Sequence, residues 1–509
     1  MERRNFIRAV AGTGGLLITP FVTGRSAELI TDIEDNGKQP GTSVQVDESQ
    51  RYLFLDDHWI REQSGVLRSF HAATKEKYNP LITKKDYGRG YGPYFFVWGR
   101  KQFPYTAWFG GYVNTSIDCF NWSALGELDL SAFAAGNISG AAFLNNESGL
   151  YSDYPYLCAV AFRHAPDYNK FHYRFGRSRN GFQWEAIPDN PIWDGPSDVM
   201  SMIWDKNKKK FVAYYKVWRY KGTTVDGEPF VAYGHLDTKV EDDGKVFHIT
   251  GETYLPKRTI DVRLQYGGDT SNDGGGAPTD TKMQMIRVLA YAESSDFLHW
   301  ENEQIIIEPP TDAPLGDQIY GMQVTCYGNM YIGAYNHFNA RNGLMQTWLA
   351  WSYDGIRFRV HDQQFFIASG KRGEWDYGMI VYPSEFMDTG NGQLYTYYGS
   401  IGVDHLATDE TQYNGATGRA WLRSDGFASL KGGWIETVPL KVQTKWMRVN
   451  MSGEIGVTLK SASGETIGKA VLRGDYHNLI PNIDLSAWID KDVIVHFDLS
   501  KGELYSITI

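Results

Sequence analysis

From residue 50 to its end the chain runs in short apolar stretches, each broken within ten residues or so by Gly, Asn or Asp, and no long 3.6-residue period appears beyond the first 25 residues. This pattern predicts an all-β fold. Several neighbouring stretches read as hairpins: residues 140–144 with 156–162, 199–204 with 211–218 across Asp205-Lys206-Asn207-Lys208, 319–326 with 330–335 across Gly328-Asn329, and 378–386 with 394–398 across Asp388 to Gly392. Apolar and polar positions alternate only partly in them, as in sheets covered on both faces.

One turn motif recurs between these hairpins. It reads Ser116-Ile117-Asp118 closing on Trp122, Ser178-Arg179-Asn180-Gly181 on Trp184, Ser294-Ser295-Asp296 on Trp300, and Ser352-Tyr353-Asp354-Gly355 on Phe358, with a weaker fifth copy at Arg423-Ser424-Asp425-Gly426. The Asp/Asn positions stand 62, 116, 58 and 71 residues apart, a step near 60 with one interval nearly doubled. Such a period belongs to propellers and arrays, and five copies predict five blades. In each copy the Asp or Asn accepts from its own turn and the aromatic packs beneath the hairpin.

The first blade is short, with 22 residues from Tyr94 to Ser116, whereas the third carries an insertion over 221–282, rich in Gly and Asp, of the kind that shapes binding sites. After Leu430 the spacing breaks, and strand-like runs at 446–451, 455–459, 469–472, 493–497 and 504–509 predict a small β-sandwich over 431–509, leaving 48–430 to the propeller.

Composition agrees: 15% aromatic residues with 54 Gly suit many short strands and tight turns. A formal charge of −10 argues against nucleic acid as a partner. Cys119, Cys158 and Cys326 are scattered, without CxxC or metal spacing, and read as buried small apolar residues. The start, Arg3-Arg4-Asn5-Phe6-Ile7-Arg8 followed by sixteen uncharged residues, resembles a twin-arginine export signal over 1–27 before a polar linker over 28–47. That apolar stretch is shorter than the ~20 residues of a spanning helix. A periplasmic or secreted protein is expected, with no stable membrane insertion after processing.

In a propeller, residues before the inner strands and residues ending the second strands share one mouth. Asp198, Asp317, Glu374 and Asp376 precede inner strands of blades three to five. Arg163 and His164, Trp218 and Arg219, His337, and His405 follow second strands. Paired carboxylates with aromatic and basic neighbours are the chemistry of glycoside cleavage: one carboxyl protonates the leaving oxygen while another attacks or activates water. Asp198 and Asp376 are the expected acid/base or nucleophile pair, Asp317 tunes them and Glu374 is the reserve. Arg163, His164, Trp218, Arg219, His337 and His405 are expected to bind substrate.

At this point the chain resembles a known group. The runs from Tyr52 to Ile60, Asp205-Lys206, Ala292 to Trp300, Trp375-Asp376-Tyr377-Gly378-Met379-Ile380 and Leu504 to Ile507 look like bacterial five-bladed propeller proteins grouped with the glycoside hydrolase family 32/43 superfamily. The resemblance covers roughly residues 50–509 and implies the fold more strongly than a substrate. The superfamily places a catalytic Asp on the first blade, a supporting Asp on the second and an acid Glu on the third; here Tyr94, Gly140 and Asp198 stand in those neighbourhoods, so roles do not carry across.

The expectation is an exported glycoside hydrolase acting from the ends of a plant or algal polysaccharide or oligosaccharide. Its rivals are a carbohydrate-binding propeller without turnover and a lyase in which His337 or His405 with a Tyr removes a proton beside a uronate carboxyl that Arg219 neutralises. No cofactor is expected. Structural calcium or magnesium on the axis is the one ion the sequence admits, with Asp269, Asn272 and Asp273 as a loose oxygen-ligand loop.

Overall fold

In the computed structural model the described residues are 51–83, 96–98, 105–109, 112–133, 137–163, 171–194, 196–266, 283–310, 316–381, 383–388, 390–405, 407 and 415–509. They form strands and one-turn 3-10 segments, with no α-helix among them. The predicted class, all-β, is what is found. Tyr94, His164 and the Asp269–Asp273 loop lie outside the described residues.

Five antiparallel meanders follow one another. The first joins Phe96–Trp98, Tyr105–Phe109, Tyr112–Ser116 and Ser123–Glu127; the second joins Asn137–Asn145, Tyr156–Arg163, Phe171–Ser178 and Glu185–Ala186. The third joins Met200–Asp205, Lys210–Thr223, Met283–Ser294 and Glu301–Ile307, and the fourth Asp317–Tyr327, Met330–Asn339, Leu344–Ser352 and Arg359–His361. The fifth orders Met379–Val381, Gln393–Ile401 and Gly415–Arg423 side by side, with short Met387–Asp388 also on the second and Met379 bridged to Met345 of the fourth; its outermost place is filled by Thr74–Lys75 and Ile82–Thr83, from before the first sheet.

The recurrent turn explains how neighbouring sheets pack. In the first four sheets it links the third strand to the fourth, and the same oxygen caps the same two amides. Asp118 Oδ1 accepts from Phe120 and Asn121 N at 2.9 and 2.8 Å, Asp296 Oδ1 from Leu298 and His299 N at 2.9 and 2.8 Å, and Asp354 Oδ1 from Ile356 and Arg357 N at 2.9 and 2.8 Å. Asn180 does likewise at 2.9 and 3.0 Å. Each closing aromatic then meets the preceding sheet: Trp184 on Trp108, Trp300 stacked on Trp193 at 4.7 Å, and Phe358 on Tyr214. Trp122 of the first sheet packs on Tyr397 of the fifth, so the series returns to its start.

First strands also pack on one another, and two glycines permit the approach. A Cβ on Gly140 would lie 3.3 Å from the Asp198 carbonyl oxygen, and one on Gly321 would lie 2.7 Å from Val199 Cγ1. Gly321→Ala is therefore expected to cost about 1–3 kcal/mol through overpacking. Thermal denaturation should show the loss, and Val199→Ala in the same chain should recover part of it.

The third-sheet insertion is folded as far as it is described. Pro229–Gly234 folds back to pair antiparallel with the end of the long strand Lys210–Thr223, and Asp237–Glu241, Val246–Thr253 and Arg258–Gln265 make a separate three-stranded sheet. It has its own core, in which Phe247, Ile249 and Leu264 pack with Trp218 and Tyr220.

The fifth turn copy departs from the other four. Asp425 is buried and accepts from Arg51 Nη1 at 2.8 Å, Tyr327 Oη at 2.6 Å and Asn450 Nδ2 at 3.2 Å, and from Ser506 Oγ. It thus ties the fifth sheet to the C-terminal strands. These strands, Arg448–Ser461, Thr466–Leu479 and Asp492–Thr508 above all, belong to a single nine-stranded sheet around one apolar core. Where the sequence reading put a separate sandwich after residue 430, the sheet also takes Arg51–Leu53, Ile60–Ser64 and Leu67–Phe70. Those three strands are distant in sequence, and nothing local marks their partners.

Candidate functional site

Asp198 stands just ahead of the third sheet's first strand. Its Oδ1 lies 2.6 Å from Lys216 Nζ and accepts from Ser197 Oγ at 2.9 Å. Lys216 comes from the adjacent strand, where paired backbone bonds hold it opposite: Ser197 N donates to Lys216 O and Lys216 N to Val199 O, each at 3.0 Å. Burial works to raise the Asp198 pKa, but the Lys216 ammonium outweighs it and holds the carboxyl well below its usual range. Asp198 is therefore a fixed negative charge.

Tyr320 reaches this place from the fourth sheet through a fault in register. Ile319 pairs with His337 and Gly321 with Asn336, which leaves Tyr320 as the extra residue of a β-bulge. Bulges turn a side chain away from the regular alternation. The Lys216 ammonium sits 4.2 Å from the Tyr320 ring centre, and Tyr320 Oη lies 3.2 Å from His405 Nε2. Behind them is Arg287, buried, its guanidinium 4.3 Å from the Trp218 ring and 4.8 Å from that of Phe338, with Nη1 donating to Gln318 Oε1 at 2.7 Å. Asp198, Tyr320 and His405 are half-exposed above this buried layer.

Burial, then Arg287 and Lys216, push the His405 pKa down to about 4. An unfolded His titrates near ~6.5, so between pH 6.5 and 4 the unfolded chain takes up a proton that the folded one refuses. His405 thus supports the fold above about pH 6.5, and that support is lost progressively as pH falls toward 4. Melting temperature against pH should be flatter over this interval in His405→Gln than in the parent.

Two further acidic groups open the next sheets. Asp317 Oδ1 accepts from Asn339 Nδ2 at 3.1 Å and faces His337 Nε2 at 3.4 Å, while the His337 ring stacks on Trp348 at 5.0 Å. Burial lowers the His337 pKa against the pull of Asp317. Asp376 is 3% exposed; its Oδ2 lies 2.6 Å from Lys75 Nζ and accepts from Tyr398 Oη at 3.2 Å. Glu374 is exposed and turns back on its own loop, with Lys371 N donating to Oε2 at 2.7 Å. A Cβ on Gly370 would lie 2.5 Å from Glu374 Oε2 and closer still to Asp376 Oδ1, so both carboxylates crowd the same glycine.

The expected residues therefore fall into three groups. Asp198, Trp218 and His405 gather around Arg287 and Tyr320; Asp317 pairs with His337; Asp376 faces Glu374. Arg219 points elsewhere, its Nη1 on Glu308, which also accepts from Tyr233 Oη at 2.8 Å. Arg163 ends the strand Tyr156–Arg163. Sequence reasoning missed Lys216, Arg287, Tyr320 and Lys75. The one available signal was Tyr320-Gly321, a bulky residue and a glycine inside an otherwise regular apolar strand. Among the described residues no group of three or more His, Cys, Asp or Glu side chains is placed to hold a metal ion.

No protein-family model matches the chain, and a search of curated proteins finds no match. Solved structures do align with it. A protein described as a glycoside hydrolase shares 13% identity over 71% of this chain and 92% of its own, with a TM-score of 0.39. The α-L-arabinanase of Penicillium chrysogenum, complexed with arabinobiose, shares 10% over 70% and 98%, with a TM-score of 0.37. The GH32 β-fructofuranosidase BmSUC1 of Bombyx mori shares 12% over 73% and 91%, with a TM-score of 0.25.

Proposed function

We propose that the chain is a five-bladed propeller glycoside hydrolase, exported by its twin-arginine-type leader and acting from the ends of a plant or algal polysaccharide or oligosaccharide. The observation that carries the reading is the repetition of one arrangement in three consecutive sheets. Asp198, Asp317 and Asp376 each stand at or just before a first strand, and each has a basic side chain beside it: Lys216 at 2.6 Å, His337 at 3.4 Å and Lys75 at 2.6 Å. Carboxylates each held by a basic neighbour suit stabilisation of an oxocarbenium-like transition state. Glu374, exposed beside Asp376, has the access to solvent that a proton-exchanging partner needs.

Incubation of the purified protein with plant and algal polysaccharides, followed by chromatography of released sugars, tests the reading. Monosaccharide or disaccharide release from chain ends is expected; binding without release over long incubation selects a non-catalytic propeller instead. Replacing Arg3 and Arg4 together by Lys is expected to hold the protein inside the cell, as read by fractionation.

The Tyr320–His405 contact of 3.2 Å beside Arg287 supports a second reading, a lyase. A neutral imidazole there would take the proton next to a uronate carboxyl while the phenol protonates the leaving oxygen. An unsaturated product absorbing in the ultraviolet decides for it.

A further inference from the structure

We infer that the half-buried face at Tyr320 and His405 receives an anionic sugar unit, one bearing a carboxylate or a sulfate ester. The inference deepens the carbohydrate reading above and rests on it.

Four observations converge. Two permanent cations, Lys216 and Arg287, lie within 4.2 and 5.2 Å of the Tyr320 ring, in a chain whose formal charge is −10. Both act on the His405 imidazole in the same direction, with Asp198 as the opposing charge. One hydrogen-bond donor is left over in the same layer: Gln318 is 1% exposed, its Oε1 is engaged by Arg287, and its Nε2 has no acceptor among the described residues. Finally, the β-bulge at Tyr320 brings a phenol to the half-exposed rim over this buried layer.

A neutral sugar has little use for such a layer. Coulomb attraction is strongest where water is excluded, and a carboxylate or sulfate seated over buried ammonium and guanidinium groups gains from both without having to order them. Asp198 keeps the ammonium in place and offsets one of the two cations, so the layer of Lys216, Arg287 and Asp198 carries one net positive charge. The Trp218 and Phe338 rings fix the guanidinium plane, so the positive charge is pre-organised rather than recruited.

Titration calorimetry on the full protein with oligogalacturonides, sulfated galactan oligosaccharides and neutral xylo- and arabino-oligosaccharides of equal length tests the inference. At least one anionic series should bind tenfold or more tighter than the neutral ones, with affinity falling as salt rises from 50 to 500 mM. Tyr320→Phe and His405→Gln, both at half-exposed positions, should reduce that preference at least threefold, with far-ultraviolet dichroism unchanged. The relative strength of the uronate and sulfate series identifies the anion. Equal or tighter binding of neutral oligosaccharides overturns the inference while leaving the carbohydrate reading intact. Anionic preference that survives both substitutions also overturns it, by moving the seat elsewhere. Absence of binding by every sugar removes the carbohydrate reading and the inference with it.

Discussion

Asp376→Asn is expected to lower kcat/KM for sugar release by about a thousandfold, roughly 4 kcal/mol of transition-state stabilisation. The substitution keeps the volume of a side chain that is 3% exposed, and it keeps an oxygen for the Tyr398 hydroxyl. What it removes is the charge beside Lys75 and opposite Glu374. Lys75 is 29% exposed in its side chain and can turn toward water, so only a modest fall in melting temperature should accompany the kinetic loss. Asp198→Asn should behave differently. Its partner Lys216 is 4% exposed and has no such escape, so activity and stability are both expected to fall, the latter by about 3 kcal/mol. The pair Asp198→Asn with Lys216→Met should recover stability without recovering turnover. Turnover at the parent rate in both single variants would remove these carboxylates from the chemistry.

The largest stability effect is expected at Asp425. Its carboxylate accepts from Arg51, Tyr327, Asn450 and Ser506, and its side chain is 5% exposed. Asp425→Ala strands these donors together, and each buried donor without an acceptor costs about 1–3 kcal/mol, the charged one more. A loss above about 4 kcal/mol is expected, with melting split into two transitions as the C-terminal sheet separates from the fifth meander. Asp425→Asn keeps some acceptor capacity and should fall between. A single, unshifted transition for the Ala variant would show that the junction is held by its apolar core alone.

Local chemistry made much of this architecture readable from the chain. The Ser-x-Asp turns at 116–118, 294–296 and 352–354 announce themselves because a carboxylate two residues after a serine caps its own amides, and no distant partner is needed. The hairpin strands follow from apolar runs bounded by Gly and Asn. Asp198, Asp317 and Asp376 were legible as acids ahead of strands, and their neighbours were not. Lys216 and Arg287 sit in runs that read as ordinary strand sequence, and they converge only once the register of three sheets is fixed. Tyr320 depends on a single-residue slip, which sequence alternation blurs rather than reveals. Lys75 lies 301 positions from Asp376, and the fifth turn was matched on its letters although Asp425 serves a junction instead of its own loop.

Because residues 51–83 supply strands to two sheets otherwise built from positions beyond 316, an early part of the chain waits for a late one to leave the ribosome. A nascent chain halted before Gly415–Arg423 keeps unpaired edges at both places, one halted between that strand and Asp492–Thr508 keeps them at the nine-stranded sheet, and such edges recruit foreign strands. Truncation ahead of Asp492–Thr508 should therefore yield insoluble product rather than a smaller working protein.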